Sequence, residues 1–164
     1  MSALNVKKRV KEAFDHLRSG NVEGALLPAL VAVDASAAAQ ATHKQKGNRK
    51  RYIEYLEKHI NPLLFPGLVM RFEGLGSKEN ANAGSFCELL YEYLRCSMLH
   101  EGKIDDRISF DATTTDSLTL GNVGGRFVIS GYIVKVILLG ILQDPANKQA
   151  LDELVAEGYV RYRE

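Results

Sequence analysis

Two cysteines in 164 residues are too few for a disulfide framework or a thiolate metal cage. Cys87 and Cys96 stand nine residues apart in what reads as one helix, about 180° apart around its axis, so they cannot bridge each other. Charge of one sign is lacking too. Lys and Arg number 21 against 20 Asp and Glu, a formal net charge of +1, so no global field steers the chain to nucleic acid or a membrane, and any such attraction must be local. Long apolar runs are missing as well: the stretch 127–142 is too short to cross a bilayer and carries Lys135. The run Val6-Lys7-Lys8-Arg9-Val10-Lys11-Glu12 opens an amphipathic pattern instead of a signal peptide. These absences predict a cytoplasmic chain with reduced thiols and no membrane span. His16, His43 and His59 have no ligand-spaced partners, so neither a metal nor a cofactor is expected.

What is present suits one ordinary domain over 1–164: a chain 46% hydrophobic and 25% charged can bury roughly two-thirds of its unfolded surface without staples. Val6, Val10, Ala13, Phe14 and Leu17 mark a first helical stripe, with Asn5 as a cap and Gly20 as a stop. Asn21 caps a second helix whose apolar face is Leu27, Leu30, Val31, Ala38 and Ala41, with Pro28 kinking it or marking a later start. Asn48 caps a third, with Tyr52, Ile53, Leu56 and Ile60 inward. Ser85 and Glu88 form a capping-box pattern before Phe86, Leu89, Leu90, Tyr93, Leu94 and Ser97, with Gly102 past the end.

The period then changes from 3.6 to 2. Ile108 and Phe110, then Leu118 and Leu120, predict a β-hairpin over 107–120 across the Thr-rich turn 112–115. Two further helices follow, the first ended by Asp144-Pro145 and the second by Gly158. Helices are expected over 6–19, 22–45, 48–60, 85–100, 131–143 and 146–157: a mainly α helical bundle carrying a small hairpin. The glycine-rich stretches at 74–78 and 121–125 lack phosphate-loop spacing and read as turns.

Chemistry concentrates at Arg95-Cys96-Ser97-Met98-Leu99-His100, where an arginine and a histidine stand five apart as the fourth long helix runs out. An imidazole suits proton transfer from a ribose 2′-hydroxyl near neutral pH, and a guanidinium can neutralise a phosphate. The bland alternative pairs Arg95 with an acid while His100 bonds the last helix carbonyls. The segment Leu90 to Gly102 resembles the signature of the HEPN superfamily, small all-helical domains with an Arg-x4-6-His motif. The resemblance implies a homodimer with two motifs facing each other, and in active members a metal-independent endoribonuclease using Arg95 and His100 from both protomers. It also implies a setting among toxin–antitoxin or defence systems, with an antitoxin or other protein as partner. Active members usually place a polar residue directly after the arginine, where this chain has Cys96, which favours a non-catalytic RNA-binding or protein-interaction module.

Two other features attach to that motif. Asp34 falls on the apolar stripe of the second helix and needs a partner if buried; Arg95, Arg51 or a tyrosine can supply one, and an Asp34–Arg95 contact would orient the arginine. The basic stretch from His43 to Arg51 carries Lys44, Lys46, Arg49, Lys50 and Arg51 without an acid, followed by Tyr52 and Tyr55. It is either a grip on an RNA backbone or a solvated interhelical turn.

Overall fold

The computed structural model describes residues 3–41, 47–68, 70–73 and 83–161. Helix α1 (Ala3–Arg18) and helix α2 (Val22–Ala39) form an antiparallel pair joined through Gly20, whose φ of +77° permits the tight reversal. Asn21 caps α2 as expected, its side chain accepting from the Gly24 amide at 2.8 Å. Asn5 is no cap, because α1 already runs through it. Helix α2 continues unbroken across Pro28. Its buried residues, among them Ala25, Leu26, Ala29, Leu30, Ala32, Val33, Ala35 and Ala37, lie on more than one face. Of the stripe read from the sequence, Leu30 is fully buried, while Leu27, Val31, Ala38 and Ala41, with Asp34 among them, are only half-buried. A helix apolar all round has no single inward face, so its period could not choose one. The same property makes α2 long and apolar enough to cross a membrane by length and composition, although half of that window is buried inside the fold.

Helix α3 (Asn48–His59) starts from Gly47, not from a capping Asn48, whose side chain accepts from Arg51 Nη2 instead. Tyr52, Ile53, Leu56 and Ile60 are buried as predicted, and Tyr55 with them. After the short α4 (Asn61–Leu64), strands β1 (Arg71–Glu73) and β2 (Ala83–Ser85) pair antiparallel and lead into α5. Helix α5 spans 86–101 in three successive pieces: α-helical Phe86–Leu89, π-helical Leu90–Cys96 and α-helical Ser97–Glu101. Both halves of the Ser85/Glu88 capping box are made, and Gly102 ends the helix at a φ of +70°. Tyr91 and Tyr93 are both buried although nearly opposite on a helical wheel. The bundle covers one side through Tyr52, and Arg107 covers the other, 4.2 Å over the Tyr93 ring.

The expected hairpin over 107–120 does not form, and a different one takes its place. Strands β4 (Leu120–Val123) and β5 (Arg126–Ser130) pair antiparallel, while β3 (Ile108–Asp111) lies parallel to β5, giving the order β3-β5-β4. The predicted pairing of 108–110 with 118–120 does not form. Gly124 and Gly125, with φ of +59° and +79°, make a two-residue turn that locks β4 onto β5. The Thr-rich segment crosses the start of α6 (Tyr132–Gln143) instead, where the Thr114 carbonyl accepts from the Tyr132 amide. Asp111 anchors that crossing by accepting from the Thr113 and Thr114 hydroxyls, bonds that hold its carboxyl down to about 2.

Helix α6 packs against α2 and α3 and is apolar through Ile133, Val134, Ile137, Leu138, Ile141 and Leu142. Gly140 is its point of closest approach to α3, since a Cβ there would stand 2.7 Å from the His59 carbonyl oxygen. Asp144 ends α6 and caps the 3₁₀ turn Pro145–Asn147, after which α7 (Lys148–Ala156) returns along α1. The chain is therefore mainly α, with a two-stranded and a three-stranded sheet among the described residues.

Candidate functional site

Arg95 projects from the π-helical part of α5 into the bundle and is 9% exposed. Its Nε and Nη2 both donate to Asp34 Oδ2, at 3.0 and 2.5 Å. Its guanidinium carbon lies 5.3 Å from the centroid of the Tyr91 ring and 5.8 Å from that of Tyr52, and those two rings meet edge to face at 5.2 Å. The structure thus brings Asp34 to Arg95, one of the three kinds of partner the sequence left open. Burial works against the arginine's charge, but the hydrogen bonds and charge of Asp34 outweigh it and hold the guanidinium above its ordinary pKa. Burial, and then the Asp34 charge, push the Tyr52 hydroxyl up; it donates to the Leu30 carbonyl. A pair of this kind is costly to break, because removing one partner leaves an uncompensated buried charge, about 3–5 kcal/mol.

His100 is not part of this cluster. It stands exposed on the last turn of α5, with no hydrogen bond or ion pair to Arg95 among the described residues. Cys96 is half-buried, its Sγ 3.8 Å from Arg95 Nη1. Cys87 is buried, and burial pushes its thiol up to about 12, with Glu57 and Glu88 adding to the shift. It is therefore inert as a nucleophile.

The basic stretch is divided. Lys44 and Lys46 lie outside the described residues. Arg49 turns back on α5, its Nε donating to Glu92 at 2.7 Å and its Nη2 3.6 Å from Glu88. Lys50 is exposed, 3.7 Å from Glu54. Arg51 faces the other way, along a stripe of α3 with Tyr55 and His59 at successive intervals of four.

That stripe meets the end of α2 over a polar core that sequence reasoning missed. Asp144, only 3% exposed, accepts from the Tyr55 hydroxyl at 2.9 Å, from Gln40 Nε2 at 2.5 Å and from the Ala146 amide at 3.0 Å. Asn147 donates to Ser36 Oγ and the Ile141 carbonyl, both at 3.0 Å. The His59 ring stacks on Tyr55 at 4.5 Å, with its Nε2 3.8 Å from Asp144 Oδ2. Burial lowers the His59 pKa, Asp144 opposes that and Lys58 adds to it. The available signal was the four-residue spacing of Arg51, Tyr55 and His59. Asp144 and Asn147, more than eighty residues downstream, could be joined to it only by the fold.

A third feature is apolar. Phe14 and Leu17 of α1, Leu138, Leu139 and Leu142 of α6, and Tyr159 line a cleft of about 250 Å3. Tyr159 is held there by Asp15, which accepts from its hydroxyl at 2.8 Å, and by Arg18, 4.2 Å over its ring. Leu139 remains 46% exposed. No group of three or more His, Cys, Asp or Glu side chains placed to hold a metal occurs among the described residues.

The family model described as Rv1289 matches residues 5–162. No curated protein and no solved structure matches this chain.

Proposed function

The chain belongs to the Rv1289 family, and for this member we propose a HEPN-like, non-catalytic protein-interaction module that works as a homodimer. The observation that carries this reading is the state of Arg95. With its Nε and one Nη committed to Asp34, and at 9% exposure, the guanidinium is spent on holding α5 to α2 and has no face to offer a phosphate. His100 stands apart from it in solvent, so the two groups needed for general acid–base cleavage do not converge. Protein is favoured over RNA as the partner because Arg49 and Lys50 face carboxylates, whereas the Leu139 cleft presents apolar surface for the contact between copies.

The test combines mass and activity. Light scattering at micromolar concentration should give about 36 kDa, twice the 18.1 kDa chain, and Leu139→Glu should shift it toward the monomer. Single-stranded RNA incubated in EDTA should stay intact. Cleavage leaving 2′,3′-cyclic phosphate ends, lost in His100→Ala at unchanged melting temperature, would establish the endoribonuclease reading in its place. A monomer mass for the wild-type chain would remove the homodimer.

A further inference from the structure

Between the end of α2 and the exposed side of α3 lies a pocket of about 220 Å3, with Gln40, Arg51, Tyr55, Lys58 and His59 on its walls and Ala37 beside them. Two nitrogens of those wall residues, Arg51 Nε and His59 Nε2, are shielded from solvent and have no hydrogen-bond partner among the described residues. The arginine Nε–H is always a donor. A shielded donor without an acceptor is unfavourable, and so marks a place where an acceptor from outside is gained at little cost. Arg51 Nε is such a donor, His59 Nε2 is one in its Nε2–H tautomer, and both residues line this one cavity on one stripe of α3.

The charges in the pocket define its chemistry. Arg51 and Lys58 are fixed cations about two turns apart on the same face of α3, and Lys58 has no ion-pair partner among the described residues. Two carboxylates are near, and neither cancels them. Glu54 is itself on the pocket wall, and its carboxylate is 3.7 Å from the Lys50 ammonium, which offsets its charge. Asp144 is only 3% exposed beneath the floor and already accepts from Tyr55, Gln40 and the Ala146 amide. The amide of Gln40 keeps a second N–H beyond the one given to Asp144. Donors converging from two helices suit a tetrahedral oxyanion with several acceptor oxygens better than a planar carboxylate. The volume exceeds what a bare oxyanion needs, yet it falls below the roughly 300–1,000 Å3 of sites for drug-sized ligands.

We propose that this groove binds a phosphate group, free or borne on a small organic monoester, between Arg51, Lys58 and Gln40, with His59 hydrogen-bonded to it from the closed end. The site is separate from Arg95, and its existence does not depend on the interaction-module reading.

The experiment is an NMR titration of the full chain, following the Arg51 Nε–H signal and the backbone amides of α3. Inorganic phosphate and ribose 5-phosphate are the probes, with sodium sulfate and sodium chloride at matched ionic strength as controls. Phosphate or its ester should give saturable shifts confined to this groove. Lys58→Gln and Arg51→Gln, both changes at partly exposed positions, should leave the melting temperature in place and weaken binding by about 10- to 100-fold, the loss expected for a charge-assisted hydrogen bond. Tighter binding of ribose 5-phosphate than of phosphate assigns the site to an organic ester, and equal binding assigns it to free phosphate. No saturable shift with either probe, sulfate bound as tightly as both (an adventitious ion only), or affinity unchanged in the two variants would overturn the proposal.

Discussion

Arg95 and Arg51 are two arginines of one bundle in opposite circumstances. Arg95 is buried, held at two nitrogens by Asp34 and flanked by two tyrosine rings. Arg51 lies at a pocket wall, bonded to Asn48 through Nη2 while its Nε has no partner among the described residues. A motif search favours the first, because it carries the Arg-x4-His spacing. Hydrogen-bond accounting favours the second as the place where something binds. A guanidinium whose donors are satisfied within the chain stabilises the fold. One that keeps a shielded donor open can recognise a ligand.

The largest expected effect comes from breaking the satisfied pair. Asp34→Ala leaves the Arg95 guanidinium buried without its counter-ion and should cost about 3–5 kcal/mol in urea unfolding. Replacing both partners together, as Asp34→Leu with Arg95→Met, should cost less than the two single changes summed, since neither charge is then stranded. A loss under about 0.5 kcal/mol for Asp34→Ala, the size of an ordinary surface change, would mean the clamp does not hold α5 to α2 and would reopen Arg95 as a phosphate ligand.

A smaller effect should come from the wall behind the second region. Gly140→Ala would place a methyl 2.3 Å from Ile60 Cδ1 and 2.7 Å from the His59 carbonyl oxygen. The isoleucine tip can rotate away but the backbone cannot, so overpacking of about 1–3 kcal/mol is expected. Differential scanning calorimetry should show the loss, and an unchanged melting temperature would contradict the close α3–α6 approach.

The smallest effect is a pH dependence. Burial, opposed by Asp144 and reinforced by Lys58, lowers the His59 pKa from its ordinary 6.5, so below that value the unfolded chain binds a proton that the folded chain resists. The stability tied to His59 is therefore full above about pH 6.5 and declines as the pH falls toward the lower folded value. The charged groups around it are Asp144, Lys58, Arg51 and Glu54. Unfolding free energies measured from pH 7.5 to 5.5 should fall in the wild type and flatten in His59→Gln, and equal slopes in both would show that His59 does not titrate against the fold.

Much of the fold was legible from local chemistry. The capping box at Ser85 and Glu88, the Asn21 cap, and the stops at Gly20, Gly102 and Asp144-Pro145 all occur where the residues placed them, because each depends on neighbours within a turn. The hairpin was misplaced since both 108–110 and 118–120 alternate correctly, and alternation does not say which strand pairs with which. That choice went to the two-residue turn at Gly124 and Gly125. The π-helical run at Leu90–Cys96 left no mark on the period either, because the α-helical spacing of Leu90, Tyr93, Leu94 and Ser97 accounts equally well for their burial.

The candidate sites divide along the same line. Asp34 could be flagged alone, as a carboxylate on an apolar helix in need of a partner, but three partners remained open until α5 was packed beside α2. The pocket at Arg51 and His59 needed even more, since its wall residues Tyr55 and Gln40 are held from beneath by Asp144, beyond the far end of α6. By itself the sequence determined the helices, the caps at Asn21 and Ser85 and the mainly α class, for these rest on interactions within a few residues. Only the tertiary structure decided which charges are satisfied and which are left open, because that is a property of groups brought together from distant positions in a medium that excludes water.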